Sequence, residues 1–197
     1  MSQIILLNGC SSSGKTYIAR GIQLLSDKPW LLIGLDMMLS MMPDQYVAFG
    51  ENADEGIMFE PNENEEGPLM EIKMGPYGEK VISAGPKIAK TLCDLGLDII
   101  IDEVLLSDAE IKAYESELAG HALTFIKVDC DLKTLQEREL LRRDRSPGLA
   151  HAQKLVIDEI DHKYDMVIDS SKQGALECAR LIMTFADKNE RSHAGFH

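Results

Sequence analysis

The residues Gly9-Cys10-Ser11-Ser12-Ser13-Gly14-Lys15-Thr16 combine the side chains and the spacing that a bound phosphate chain requires. Two glycines let the backbone turn tightly and approach an anion with no Cβ in the way. The backbone N–H groups between them can form an anion-binding nest. A helix that starts here turns its positive end toward the same point. Lys15 is placed to reach the β- and γ-phosphates, and the Thr16 hydroxyl suits Mg²⁺. The pattern is G-x-x-x-x-G-K-[ST], the P-loop, which needs a strand before it and a helix after it. Ile4-Ile5-Leu6-Leu7 reads as that strand and Tyr17 to Leu25 as that helix. Gly9 through Thr16 are therefore the expected nucleotide-binding residues, with ATP as the nucleotide.

Three further groups carry side chains suited to the same chemistry. Asp36 follows the apolar run Trp30 to Leu35. A carboxylate there can accept the proton of an attacking hydroxyl as a general base, or it can cap a short helix over Met37–Met42. Asp102 and Glu103 follow Ile99-Ile100-Ile101, the form of a carboxylate that serves Mg²⁺; a loop acid or helix cap is the plainer alternative. Thr16 and Asp102 are the expected metal-site residues. Arg138, Arg142, Arg143 and Arg145 cluster within an acidic chain. Arg138 and Arg142 are spaced to share a helix face. Together they read as a lid over about 138–149 that excludes water and neutralises charge on the transferred phosphoryl group, or else as surface partners of Glu137, Glu139 and Asp144. The expected catalytic set is Asp36, Lys15, Arg138, Arg142 and Arg145. Met37, Met38, Met41 and Met42 read as core or pocket wall. The Cys10 thiol stands at a helix N-terminus, where its pKa tends to fall, although a small residue tolerated by the loop explains it as well.

The elements that must position these groups alternate. Strands are expected at Ile4–Leu7, Trp30–Leu35, Asp98–Asp102, Leu123–Val128 and Met166–Ile168. Helices are expected at Lys15–Leu25, Glu79–Leu95, Ser107–Leu118, Asp131–Arg143, Ala150–Ile160 and Gly174–Asp187. Ser107 with Glu110 forms a capping box. Continuously apolar strands alternating with helices specify a five-stranded parallel sheet covered on both faces, a three-layer α/β P-loop fold. Ligands of such sheets bind at the carboxyl ends of the strands, which directs attention to Asn8, Asp36, Asp102, Glu103 and Asp129. From Gln45 to Gly78 the periodicity dissolves, and a functional insertion with short elements of its own is expected. The domain is expected to span 1–187, followed by a disordered tail over 188–197.

Composition narrows the partners. With 197 residues, 45% hydrophobic and 27% charged, the chain has the make-up of one globular domain. A net charge of −13 argues against nucleic acid. Nothing approaches a membrane span, and the N-terminus has no signal-peptide pattern. The scattered Cys10, Cys93, Cys130 and Cys178 suggest neither zinc nor disulfides, so a reducing cytoplasm is the expected compartment. Acids crowd between Glu51 and Glu66 without a Lys or Arg; the segment reads as a solvated loop or as a lip that selects against anionic acceptors or for cationic ones.

With these residues in hand, the chain resembles the chloramphenicol 3-O-phosphotransferase family of small P-loop kinases. The likeness runs through Ile4–Gly9 with Ser11-Ser12 and Gly14-Lys15-Thr16, then Gly34-Leu35-Asp36 with Met42-Pro43. It continues through Gly96 with Ile99–Val104, and through Glu137-Arg138-Glu139, Arg143-Asp144-Arg145 and Pro147–Ala150. Weaker matches follow at Gln153, His162, Tyr164-Asp165, Asp169-Ser170-Ser171 and Glu177-Cys178-Ala179. The resemblance implies ATP- and Mg²⁺-dependent phosphorylation of a hydroxyl on a small molecule. By position Asp36 corresponds to the base, Lys15 and Thr16 to the phosphate and Mg²⁺ groups, and the 138–145 arginines to the lid. The chain departs from the family at Cys10, Ser13 and Glu103. A nucleoside, nucleotide or sugar-nucleotide kinase on the same fold is the alternative, and a non-catalytic nucleotide-binding module a more distant one; a homo-oligomer stays open.

Overall fold

The structure, a computed structural model, describes residues 1–65, 67–142 and 146–194, with side chains through residue 188. Glu66, Arg143, Asp144 and Arg145 lie outside the described residues. In chain order the elements are β1 (Gln3–Asn8), α1 (Lys15–Leu25), β2 (Trp30–Gly34), α2 (Leu35–Ser40), β3 (Val47–Ala48), β4 (Ile57–Asn64), β5 (Gly67–Met74), α3 (Pro76–Ile82), α4 (Gly85–Asp94), β6 (Asp98–Glu103), α5 (Asp108–Glu117), β7 (Ala122–Asp129), α6 (Leu132–Leu141), α7 (Leu149–Glu159), β8 (Met166–Asp169) and α8 (Ala175–Ala194).

The main sheet has the order β2-β6-β1-β7-β8, and every pairing in it is parallel. Because side chains alternate along a strand, β1 feeds two cores. Ile5 and Leu7 pack with Ile18 and Ile22 of α1 and Ile182 of α8. Ile4 and Leu6 pack with Ala89 and Cys93 of α4, Ile111 of α5 and Leu118 at the end of that helix. Each fully buried isoleucine or leucine contributes roughly 1.5–3 kcal/mol, so the apolar run that marked the first strand is also the centre of the molecule. β1 pairs Leu7 with Asp102 and Asn8 with Glu103, and β2 pairs Gly34 with Asp102. The register thus brings the ends of three strands to one level, beside the loop 9–14.

Several boundaries differ from the sequence reading. The helix expected over 79–95 is two helices, broken at Ser83-Ala84, because Pro86 cannot donate to a preceding turn and sits instead at the first turn of α4. Asp36 is inside the first turn of α2 rather than at its cap, which is Gly34. Arg142 ends α6 in an extended conformation, so it does not continue the helix face of Arg138. α8 runs on through Ala194, where the sequence reading ended it at Asp187 and expected a disordered tail. The expected insertion over 45–78 has a sheet of its own. β4 and β5 form an antiparallel hairpin, and β3 pairs with β4 in parallel. Glu60, within the acidic stretch, is thereby paired with Lys73 on the opposite strand. The hairpin leans on the start of α7, where Met70 N–H donates to the Gly148 carbonyl at 3.1 Å.

Candidate nucleotide and acceptor site

The loop between β1 and α1 crosses beneath β7. A Cβ on Gly9 would fall 2.4 Å from the Val128 carbonyl oxygen, so only glycine fits. Gly14 has φ +93° and Ser12 φ +61°, and such left-handed turns aim successive N–H groups at one point. The hydroxyls of Ser11, Ser12 and Ser13 are buried and have no hydrogen-bond partner among the described residues. Orphaned buried donors are costly, and three of them in one anion nest fit a bound phosphate chain. Lys15 Nζ lies over the loop, donating to the carbonyls of Gly9 and Cys10 at 2.8 Å each, 3.9 Å from Asp102 Oδ1.

Thr16 Oγ1 donates to Asp102 Oδ2 at 2.6 Å. The two residues expected to serve Mg²⁺ are therefore adjacent across α1 and β6. Their oxygen chemistry fits a hard cation, and few protein ligands are needed where phosphate oxygens complete the shell. Glu103, one residue on, turns away. It is 6% exposed, its Oε1 accepts from the Tyr114 hydroxyl at 2.8 Å, and burial pushes its carboxyl up to about 7 against the opposing Tyr114 hydrogen bond.

Arg138 is held rather than loose. Nη2 donates to the Ser170 carbonyl at 2.8 Å, and Nη1 reaches the carbonyls of Ser13 at 3.3 Å and Ser12 at 3.5 Å. Ser170 Oγ donates to the same Ser13 carbonyl at 2.6 Å. Gln153 Oε1 accepts from Ser11 N–H at 2.6 Å, tying α7 to the loop. Glu139, a surface partner only in the alternative reading of the arginine cluster, is buried and accepts from Gly148 N–H at 2.7 Å and Ala150 N–H at 2.9 Å, so it caps α7 from α6. Arg142 is half-buried at the cavity wall, and Arg145 lies outside the described residues. Sequence reasoning gave no role to Gln153, Ser170 or Tyr114. The first two stood in matched stretches of the family resemblance, which was the available signal; nothing marked Tyr114.

These groups open on one cavity of ≈ 880 Å³. It joins the loop 11–16, Asp36, Asp102, Arg138 and Arg142 to an apolar wall from β4, β5, α3 and α5. Met38 lines it, and Met42 is buried behind, while Met41 is exposed. Two strand-end residues have structural work instead. Asn8 clamps the chain after β6, with Oδ1 accepting from Leu105 N–H at 2.8 Å and Nδ2 donating to the Tyr164 oxygen at 2.9 Å. Asp129 pairs with Lys154 at 2.9 Å. The Cys10 thiol is pushed up to about 11 by burial, against the weaker pull of Lys15, so desolvation overrides the helix N-terminus.

The family model for chloramphenicol phosphotransferase-like proteins matches residues 2–187. The chain belongs to that family. Two Mycobacterium tuberculosis relatives, each named "Putative O-phosphotransferase", are 25% identical over 188 residues, covering 91% of this chain and 80% of theirs. Among solved structures, a sugar kinase from Janibacter superposes with a TM-score of 0.67 at 16% identity, covering 95% of each chain. The Mycobacterium tuberculosis APS kinase, solved with AMPPNP and APS, gives 0.64 at 13% identity, covering 94% of this chain and 98% of its own. A chloramphenicol phosphotransferase-like chain on this P-loop kinase fold is an O-phosphotransferase. Among the described residues no helix is long and apolar enough to cross a membrane.

Proposed function

We propose that this kinase moves the γ-phosphoryl group of ATP to a hydroxyl of an apolar small molecule, with chloramphenicol the first acceptor to test. The observation that carries the reading is the single cavity in which the phosphate loop, Asp36 and an apolar wall meet. Loop 9–14 and the serine hydroxyls bind the phosphate chain. Lys15 exchanges its carbonyl partners for the β- and γ-phosphates and offsets their charge. Mg²⁺ held beside Thr16 and Asp102 would add charge neutralisation. Asp36 orients the acceptor hydroxyl and takes its proton as the new oxygen–phosphorus bond forms and the bond to the β-phosphate oxygen breaks. Arg138 holds the back of the loop against Ser170, and Arg142, at the cavity wall, offsets charge on the transferred group, the role also expected of Arg145. The apolar wall turns water away from that group.

The test is an ATP-consumption screen against chloramphenicol and other hydroxylated antibiotics, nucleosides and sugars. Acceptor-dependent ADP formation with an apolar alcohol supports the reading. Turnover only with nucleosides or sugars places the chain among the other kinases of this fold.

A further inference from the structure

Beside Glu79, Ser83, Ser107 and Glu110, the apolar half of the cavity contains a hydrogen-bonded polar pair that phosphate chemistry does not use. Glu103 and Tyr114 both line it, joined by the 2.8 Å hydrogen bond from the tyrosine hydroxyl to Oε1. The pair is built into the fold. Glu103 is fixed by the β1–β6 register opposite Asn8. Room for the tyrosine hydroxyl exists because residue 85 is glycine, where a Cβ would fall 2.8 Å from it. Burying a carboxyl against an apolar wall is unfavourable unless something pairs with it, and the Tyr114 hydroxyl together with the Val104 N–H still leaves carboxylate lone pairs over. Since the hydroxyl has spent its proton on Glu103, the tyrosine oxygen offers acceptor capacity only. The pair is thus a station for hydrogen-bond donors.

The surrounding charge points the same way. Among the described residues the cavity's cations are Lys15, Arg138 and Arg142, from the phosphate loop and the end of α6; β4, β5, α3 and α5 contribute none to its wall. Glu110, also in that wall, is committed to the start of α5, accepting from Leu106 N–H at 2.7 Å and from the Ser107 hydroxyl at 3.0 Å. An anionic acceptor would meet Glu79, Glu103 and Glu110 in this wall with no compensating cation from it among the described residues.

We propose that Glu103 and Tyr114 form the acceptor-recognition site, taking an amine or second hydroxyl of an apolar alcohol and excluding acceptors that carry a carboxylate or phosphate. The inference rests on the kinase reading above and adds the chemical class of its acceptor. Calorimetric titration of the whole chain tests both in sequence. Mg²⁺–AMPPNP is titrated first. The loaded protein then receives either phenylserinol, an aryl amino diol, or phenyllactate, an aryl hydroxy acid of similar size. Phenylserinol is expected to bind at least tenfold more tightly than phenyllactate. Glu103→Gln and Tyr114→Phe, which keep the volume of the site, should each weaken phenylserinol while leaving AMPPNP affinity within twofold; the loss is about tenfold for Glu103→Gln, the scale of a hydrogen bond to a charged group. Equal or tighter binding of phenyllactate, binding of neither compound, or unchanged phenylserinol affinity in both variants overturns the proposal while the kinase reading stands. Failure of AMPPNP to bind overturns the kinase reading, and this one with it.

Discussion

At Asp36 two roles that the sequence left equal separate by experiment. The side chain lies in the first turn of α2 and in the wall of the phosphate cavity, and it is not the cap of that helix. Asp36→Asn keeps the shape and removes the basicity. General-base assistance is worth about 10²–10⁴ in rate, so phosphoryl transfer should fall at least tenfold, with ATP affinity and melting temperature close to wild type; steady-state kinetics beside a thermal melt read both. Thr16 and Asp102 make a second residue-scale prediction. Asp102→Asn keeps an acceptor for the Thr16 hydroxyl but loses the charge, so the Mg²⁺ concentration for half-maximal turnover should rise several-fold. An unchanged Mg²⁺ dependence would exclude Asp102 from that role. That these residues share one cavity was legible because a glycine loop and strand-end carboxylates meet at the carboxyl edge of a parallel sheet. Tyr114 was not, because an aromatic at helical spacing reads as core, and its hydroxyl acquires meaning only when α5 packs beside β6.

At the scale of elements, α7 links the parts that must act together. Glu139 of α6 holds its first turn, Gln153 holds the phosphate loop, and Gly148 receives the hairpin strand β5. Glu139→Ala would leave two buried N–H groups without an acceptor, at about 1–3 kcal/mol each. The melting temperature should drop by roughly 4–24 °C for a chain of this size, and the Michaelis constant for ATP should rise through Gln153. A melt unchanged within error would contradict the capping geometry. The sequence placed α7 to within a residue at each end but missed this connection, since Glu139 beside arginines looks like a surface ion pair until the burial is known. The 45–78 stretch resisted for a related reason. Its strand ends alternate poorly, as in Glu60-Pro61-Asn62-Glu63-Asn64, and the hairpin is held by cross-strand pairing and by α7 while Ile57, Phe59, Ile72 and Met74 line the cavity.

For the whole molecule the main sheet was the most readable part. Its strands are apolar on both faces because helices cover both, so propensity, pattern and packing agree from Ile4 to Ile168. The cysteines yield a prediction at this scale. Burial pushes the Cys10 and Cys93 thiols from the ordinary 9.0 to about 11. The folded chain then holds these protons more tightly than the unfolded chain. Their contribution is complete below pH 9.0 and is lost as pH rises through about 11. Melting temperature should therefore fall across that interval, and Cys10→Ala should flatten the fall. Both thiols should also resist alkylation of the native protein at neutral pH, as measured by mass.

The central claim is that the glycine loop and Asp36 deliver a phosphoryl group to a hydroxyl and not to water. The direct measurement follows ATP labelled in its γ-phosphoryl group, mixed with chloramphenicol and wild type, Lys15→Ala or Asp36→Asn, with separation of labelled acceptor from free phosphate. The account predicts that wild type places the label on the acceptor. Both variants should do so at least tenfold more slowly while remaining folded. Label released only as free phosphate by wild type, or transfer to the acceptor at the same rate by all three proteins, would contradict it.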